Sequence, residues 1–227
     1  SNSHVPQPML LSNSLRNAQW LSQQRQGRGS LVVANSDYVA VLGRRSFAVH
    51  DTVTGRVRWS KERLPNNARV YGTDDLVFVL PEDAGKASAF SALDGRPVEA
   101  ANLSTLLQSS IRVLPEGLVI AESKAARSLL GLSRGTTVLR LYDPLTQRDH
   151  WSVECPSGTY LSLMEDDYLA ALEPDGQLKL LDLQTGRRQT MQGVTEEDLK
   201  SKSELRVLSD HDNLYLIVNQ RTRSRSY

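Results

Sequence analysis

Ser133 lies inside Gly131-Leu-Ser-Arg-Gly135, which spells out the Gly-x-Ser-x-Gly pattern of a catalytic serine. Such an elbow works by setting the serine on a sharp turn between a strand and a helix, so that Oγ projects over an oxyanion hole. Here the next residues, TTVLRLYD (136–143), read as a strand. The context that would activate Ser133 is missing, and it is read as a loop residue. His4, His50, His150 and His211 are dispersed, with no pair at the short spacing of two metal ligands on one helix or hairpin. His50 directly precedes Asp51 and His150 directly precedes Trp151, which gives both a strand position. Acids cluster in SDHDN (209–213) and EDD (165–167), where they would suit a hard cation, yet both fall at turns and neither resembles a calcium loop. Cys155 is the single cysteine, so an internal disulfide and any multi-cysteine metal or iron-sulfur site are excluded. The expectation is therefore no catalytic residue, no cofactor and no metal.

Composition narrows the partners. Lys plus Arg total 27 against 26 for Asp plus Glu, so no global field draws in nucleic acid or an anionic membrane. Nucleic acid is not an expected partner. No run approaches the roughly 18 apolar residues of a membrane-spanning helix. The opening SNSHVPQPML lacks the charged and apolar regions of a signal peptide and begins without Met, as a mature or excised form would. The tail RTRSRSY (221–227) is basic and reads as a solvated end.

What must position any site is an internal repeat. VHDTVTGRVRW (49–59), FSALDGRPVE (90–99), LYDPLTQRDHW (141–151) and LLDLQTGRRQT (180–190) align, with lead residues Asp51, Ser91, Asp143 and Asp182 spaced 40, 52 and 39 apart. Upstream of each lies a polar turn followed by an apolar run: NSDYVAVLG, GTDDLVFVL, LPEGLVIAE, MEDDYLAAL, and finally SDHDNLYLIV. These are turn and strand signals, and a unit of about 40 residues with four short strands is the length of one propeller blade. The longer interval is accounted for by SKAARSLLGLSRG (123–135), read as a loop between strands. Helix is marginal: NLSTLLQSS (102–110) and TEEDLKSK (195–202) would each form a turn or two, the second with Thr195 and Asp198 spaced as a cap.

The two ends answer each other. SELRVLSDHDNLYLIV (203–218) supplies only two strands of a fifth unit, whereas LLSNSLRNAQWLS (10–22) carries Trp20, which lies 39 residues before Trp59. The expected fold is all-β, a propeller of about five four-stranded blades whose last blade is closed by strands from both termini, which pairs otherwise open edges. Residues 10–220 then form one propeller domain, with units at 30–67, 68–110, 111–158, 159–202 and 203–220 plus 10–29, after an extension at 1–9.

Within each unit the Asp ends a strand, and its carboxylate is suited to accept backbone N–H groups two or three residues on. Gly55, Gly95 and Gly186 supply a positive φ, with Gln147 the exception. Trp59 and Trp151 stand eight residues beyond the Asp, where an indole would wedge between blades. This pattern resembles the pyrroloquinoline-quinone-like repeat, A-x-D-x-x-T-G-x-x-x-W, of the quinoprotein-type propellers. The matching residues are Asp51, Thr54, Gly55 and Trp59; Asp143, Thr146 and Trp151; Asp182, Thr185 and Gly186; and Asp94 with Gly95.

The resemblance implies a fold shared by quinone-dependent dehydrogenases and by non-enzymatic scaffolds such as the lipoprotein of the outer-membrane protein assembly machinery. It implies an extracytoplasmic location. The quinone enzymes carry an adjacent cysteine pair over the cofactor, which a chain with only Cys155 cannot form. The expected function is thus a non-catalytic scaffold binding protein partners through a propeller face and loop 123–135, either by itself or as a module of a larger protein. The alternatives are a small-ligand or carbohydrate-processing enzyme with its site at the central channel, where groups from separate blades would leave no local motif, and a degenerate quinoprotein.

Overall fold

The computed structural model describes residues 30–82, 85–124, 135–164, 167–191, 193–195, 202–209 and 214–220. Four antiparallel meanders of four strands follow one another along the chain, each strand pairing with the next. The first comprises β1 (Ser30–Ala34), β2 (Tyr38–Leu42), β3 (Ser46–Asp51) and β4 (Val57–Glu62); the second β5 (Arg69–Gly72), β6 (Leu76–Leu80), β7 (Ser88–Ser91) and β8 (Pro97–Val98). A helix, α1 (Leu103–Ser109), leads into β9 (Ser110–Leu114), β10 (Gly117–Lys124), β11 (Thr136–Asp143) and β12 (Arg148–Pro156). The fourth sheet is β13 (Tyr160–Leu163), β14 (Tyr168–Leu172), β15 (Leu178–Asp182) and β16 (Arg188–Met191); β17 (Lys202–Ser209) and β18 (Leu214–Gln220) form a two-stranded sheet. The fold is all-β and built of propeller-type blades.

The strands form where apolar residues alternate. In β2, Tyr38, Ala40 and Leu42 are buried while Val39 and Val41 are half-buried, the period-two pattern of a strand with one face on a core. All five residues of β6, LVFVL, are buried because that sheet is covered on both faces. Val77 and Val79 join Tyr38, Phe47 and Val49 of the first sheet in one core cluster. Leu76 and Phe78 face the other way, into a cluster with Leu103 and Leu107 of α1 and with Leu118 and Ile120 of β10. Each such side chain taken fully out of water contributes about 1.5–3 kcal/mol, so the stacked faces dominate stability. The helix forms because Leu103, Leu106 and Leu107 recur at helical spacing and share one buried face.

Among the described residues, contacts group those of 30–120 and 140–150 in one compact unit and those of 121–139 and 151–220 in another; strands β10, β11 and β12 contribute residues to both. The first unit contains the two core clusters just described. The second contains a smaller one of Ala170, Leu172 and Leu178, against which Tyr160, Met164 and Val194 pack.

Several expectations fall outside the described residues: the strand from 10–29 with Trp20, most of loop 123–135 with Ser133, the helical turn at 196–201, His4 and His211, and the basic tail. No helix among the described residues is long and apolar enough to cross a membrane.

Candidate functional site

The repeated polar residues sit on the turns that join the third and fourth strands. At the first turn Asp51 Oδ1 accepts hydrogen bonds from Val53 N (3.1 Å), Thr54 N (2.8 Å) and Thr54 Oγ1 (2.9 Å). Its other oxygen accepts from Arg58 Nη2 at 2.6 Å and Nε at 3.1 Å. The Arg58 guanidinium, with the Thr54 N–H and hydroxyl, holds the Asp51 carboxyl well below the usual carboxylate range. Asp182 repeats the arrangement with Gln184 N, Thr185 N and Thr185 Oγ1 at 2.9, 3.1 and 2.8 Å. Burial works to raise its pKa, but these donors outweigh it and the net shift is downward. Asp143 accepts from Leu145 N at 2.8 Å and Thr146 Oγ1 at 2.6 Å. Where Ser91 replaces the lead Asp, Asp94 takes over: Arg96 N donates to it at 3.2 Å, and that bond with the Ser91 hydroxyl lowers its pKa.

Each turn closes with the same backbone bond, to the lead carbonyl from Gly55 N (2.9 Å), Gly95 N (2.9 Å), Gln147 N (2.9 Å) and Gly186 N (2.8 Å). All four donors are left-handed, with φ of 67°, 72°, 58° and 70°, so Gln147 adopts the glycine conformation against its steric preference. The carboxylates bond to their own turns, an arrangement that fixes backbone.

The two described tryptophans meet the following repeat. Trp59 Nε1 donates to Ala92 O at 2.9 Å, and Trp151 Nε1 donates to Leu183 O at 2.9 Å; each carbonyl belongs to the residue after a lead position. Beneath each indole lies a turn glycine. A Cβ on Gly95 would stand 2.6 Å from Trp59 Cδ2, and one on Gly186 would stand 2.6 Å from Trp151 Cγ. Trp59 also meets Phe47 edge-on, centroids 5.2 Å apart, and Phe90 at 6.2 Å.

These turns present residues that the repeat reading passed over. Two places after the lead stand Val53, Leu93 and Leu145, which are 91%, 73% and 48% exposed, and in the fourth repeat the polar Gln184. Five places after it stands an exposed arginine in all four repeats: Arg56, Arg96, Arg148 and Arg187. The signal was present in the alignment at positions the family pattern leaves open. The neighbouring turn between first and second strands braces three of the four turns, as Thr52 N donates to Asp37 O (3.3 Å), Ala92 N to Asp75 O (2.8 Å) and Leu183 N to Asp167 O (2.9 Å); in the other repeat Pro144 has no N–H to give.

The remaining sequence candidates stay apart. His50 Nδ1 lies 3.3 Å from Gly55 O, and His150 is exposed on β12. Among the described residues no cluster of His, Cys, Asp or Glu has the arrangement of a metal site. Burial raises the Asp74 pKa, helped by Glu116, Asp75 and Asp37. Cys155 is buried, and burial pushes its thiol up, with the charge of Glu173 adding to the effect.

At the other end of the first sheet lies a cleft of about 610 Å³ between the β2–β3 turn and the β4–β5 loop. Leu42 and Leu64 form its buried floor, and exposed Arg44, Arg45, Asn66 and Asn67 line it. The two loops are strapped together: Leu64 N donates to Arg45 O (2.9 Å), and Arg45 Nε donates to Leu64 O (3.1 Å). Arg63 and Asn67 hold left-handed backbone, with φ of 60° and 53°, a conformation uncommon for arginine and tolerated by asparagine.

BamB from Moraxella catarrhalis is 16% identical over 74% of this chain and 53% of its own, with a TM-score of 0.33. The dihydro-heme d1 dehydrogenase NirN is 17% identical over 71% of this chain and 37% of its own, at 0.35, and a europium-containing methanol dehydrogenase 11% identical over 73% and 41%, at 0.29. The chain thus spans about half the length of the BamB structure or less of these neighbours. No curated protein sequence matches it. Residues 12–222 match the model of the family described as outer membrane protein assembly factor BamB, and the chain belongs to that family of quinoprotein-like propellers.

Proposed function

We propose that this chain is a non-catalytic scaffold that holds protein partners of an outer-membrane protein assembly machinery through the tips of its repeat turns. The observation that carries the reading is the exposure of Val53, Leu93 and Leu145 at one repeat position. A turn of this type needs its Asp, Thr and Gly and accepts Ser or Asn at the tip, so an apolar side chain held in water there forgoes burial worth about 1.5–3 kcal/mol. Burial against a partner recovers that energy. The rigid turns keep the tips ready, which lowers the ordering cost of association. Membership of the family described as an outer membrane protein assembly factor supports this class of partner, and an extracytoplasmic setting belongs to the same proposal. Loop 123–135 belongs to the same reading as a second contact region.

The test is site-specific photo-crosslinking in the native envelope, with the reactive side chain placed at position 53, 93 or 145. Discrete adducts with an envelope protein are expected from the tips and none from exposed Thr190 on β16. Tips that give no adduct, or the same adducts as position 190, would overturn the reading.

A further inference from the structure

The cleft beside Arg44 and Arg45 lies at the opposite end of its sheet from the Val53 tip and goes beyond the scaffold reading. We infer that it is a second binding site, for an acidic, extended protein segment whose carboxylate is received by the two arginines. Three features converge. The two loops that make the cleft, 43–45 and 62–68, carry Arg44, Arg45 and Arg63 against Glu62 alone, so the local balance is two positive charges in a chain whose total is +1. Among the described residues Arg44 has no hydrogen-bond or ion-pair partner, which leaves its planar fork open to a carboxylate. Arg45 is held by its Nε bond to Leu64 O, so its side chain has less freedom to lose when a ligand arrives.

The choice of a protein segment over a free anion rests on the rest of the lining. Asn66 and Asn67 each offer an amide that both donates and accepts, which matches the alternating N–H and C=O of an extended backbone and is wasted on an inorganic anion. The volume, about 610 Å³, is that of a site for a small ligand or a few residues of chain. Leu42 and Leu64 beneath supply an apolar floor for a neighbouring side chain.

The experiment is a fluorescence-anisotropy titration of the full chain with a labelled octapeptide of alternating Glu and Leu, its Lys-Leu counterpart, and inorganic phosphate as competitor. The Glu peptide is expected to bind and the Lys peptide not. Arg44→Glu is expected to weaken binding by roughly tenfold or more with unchanged melting, because the side chain is exposed and makes no contact that folding needs. Arg45→Lys, which keeps the charge and loses the fork, is expected to weaken it by a smaller factor. Backbone amide shifts should change at residues 42–45 and 64–68. Binding untouched by Arg44→Glu, equal binding of the Lys peptide, shifts confined elsewhere, or displacement by phosphate as effective as by unlabelled peptide would each overturn the inference. Variants that fail to crosslink at positions 53, 93 and 145 leave this result unaffected, so the two readings fail separately.

Discussion

Gly55 and Gly95 occupy the same place in successive repeats, with φ of 67° and 72°, yet they have different neighbours. A Cβ on Gly55 would meet nothing within 4 Å among the described residues, whereas one on Gly95 would lie 2.6 Å from Trp59 Cδ2 and 2.7 Å from Cε3. Alanine at either position pays for a left-handed backbone, roughly 1–2 kcal/mol, partly offset by about 0.4–1 kcal/mol of lost unfolded-state freedom. At Gly95 the new methyl also lies about 1 Å inside normal carbon contact. The indole must then shift, which gives up its bond to Ala92 O, about 0.5–1.5 kcal/mol, and its aromatic contacts, about 0.5–1.5 kcal/mol more. Gly95→Ala should thus cost about 2 kcal/mol more than Gly55→Ala. For a domain of this size that is roughly 4–8 °C in Tm. The assay is urea and thermal unfolding followed by far-ultraviolet circular dichroism. In a Trp59→Ala background the excess at Gly95 should vanish, since coupled residues are non-additive. Equal cost of the two glycine substitutions, or an excess that survives without the indole, would refute the docking of Trp59 on the next turn.

Trp59→Ala and Trp151→Ala should each destabilise by about 3 kcal/mol, the lower part of the range for a large aromatic because both are only half-buried, and should lower Tm by roughly 6–12 °C; unchanged melting in either would contradict the geometry. The depressed pKa of Asp51 means that its contribution is complete above an unfolded pKa of about 3.9 and is lost as pH falls below it. Melting from pH 6 down to pH 2 should therefore show an acid limb that Asp51→Asn flattens. Cys155, buried with a raised pKa, should resist a disulfide reagent at pH 8 and react fully once urea unfolds the chain; rapid native labelling would place it elsewhere.

The turns were legible in the sequence because their defining bonds lie within five residues: Asp51 with Thr54 and Gly55, or Asp182 with Thr185 and Gly186. The seat of each indole was not. Trp59 bonds to Ala92, 33 residues on, and that pairing depends on how two sheets stack rather than on a local pattern. Val53, Leu93 and Leu145 stood in view at an open position of the pattern, but burial alone distinguishes an exposed valine from a core one. The cleft escaped for a different reason. Arg44, Arg45, Asn66 and Asn67 lie on turns that differ between repeats, so an alignment on the shared residues discards them.

On the proposed reading, the shared residues build the blades while the tips between them meet a partner. A side-by-side measurement of Tm and of crosslinked partner yield in two variants tests it most directly. Replacing Val53, Leu93 and Leu145 with Asp should leave Tm within about 2 °C of the parent, as exposed substitutions do, and reduce the yield by roughly tenfold or more. Asp51→Ala should lower Tm and keep the yield at temperatures where it is folded. The opposite pattern, with tips that govern melting and an aspartate that governs capture, would contradict the claim.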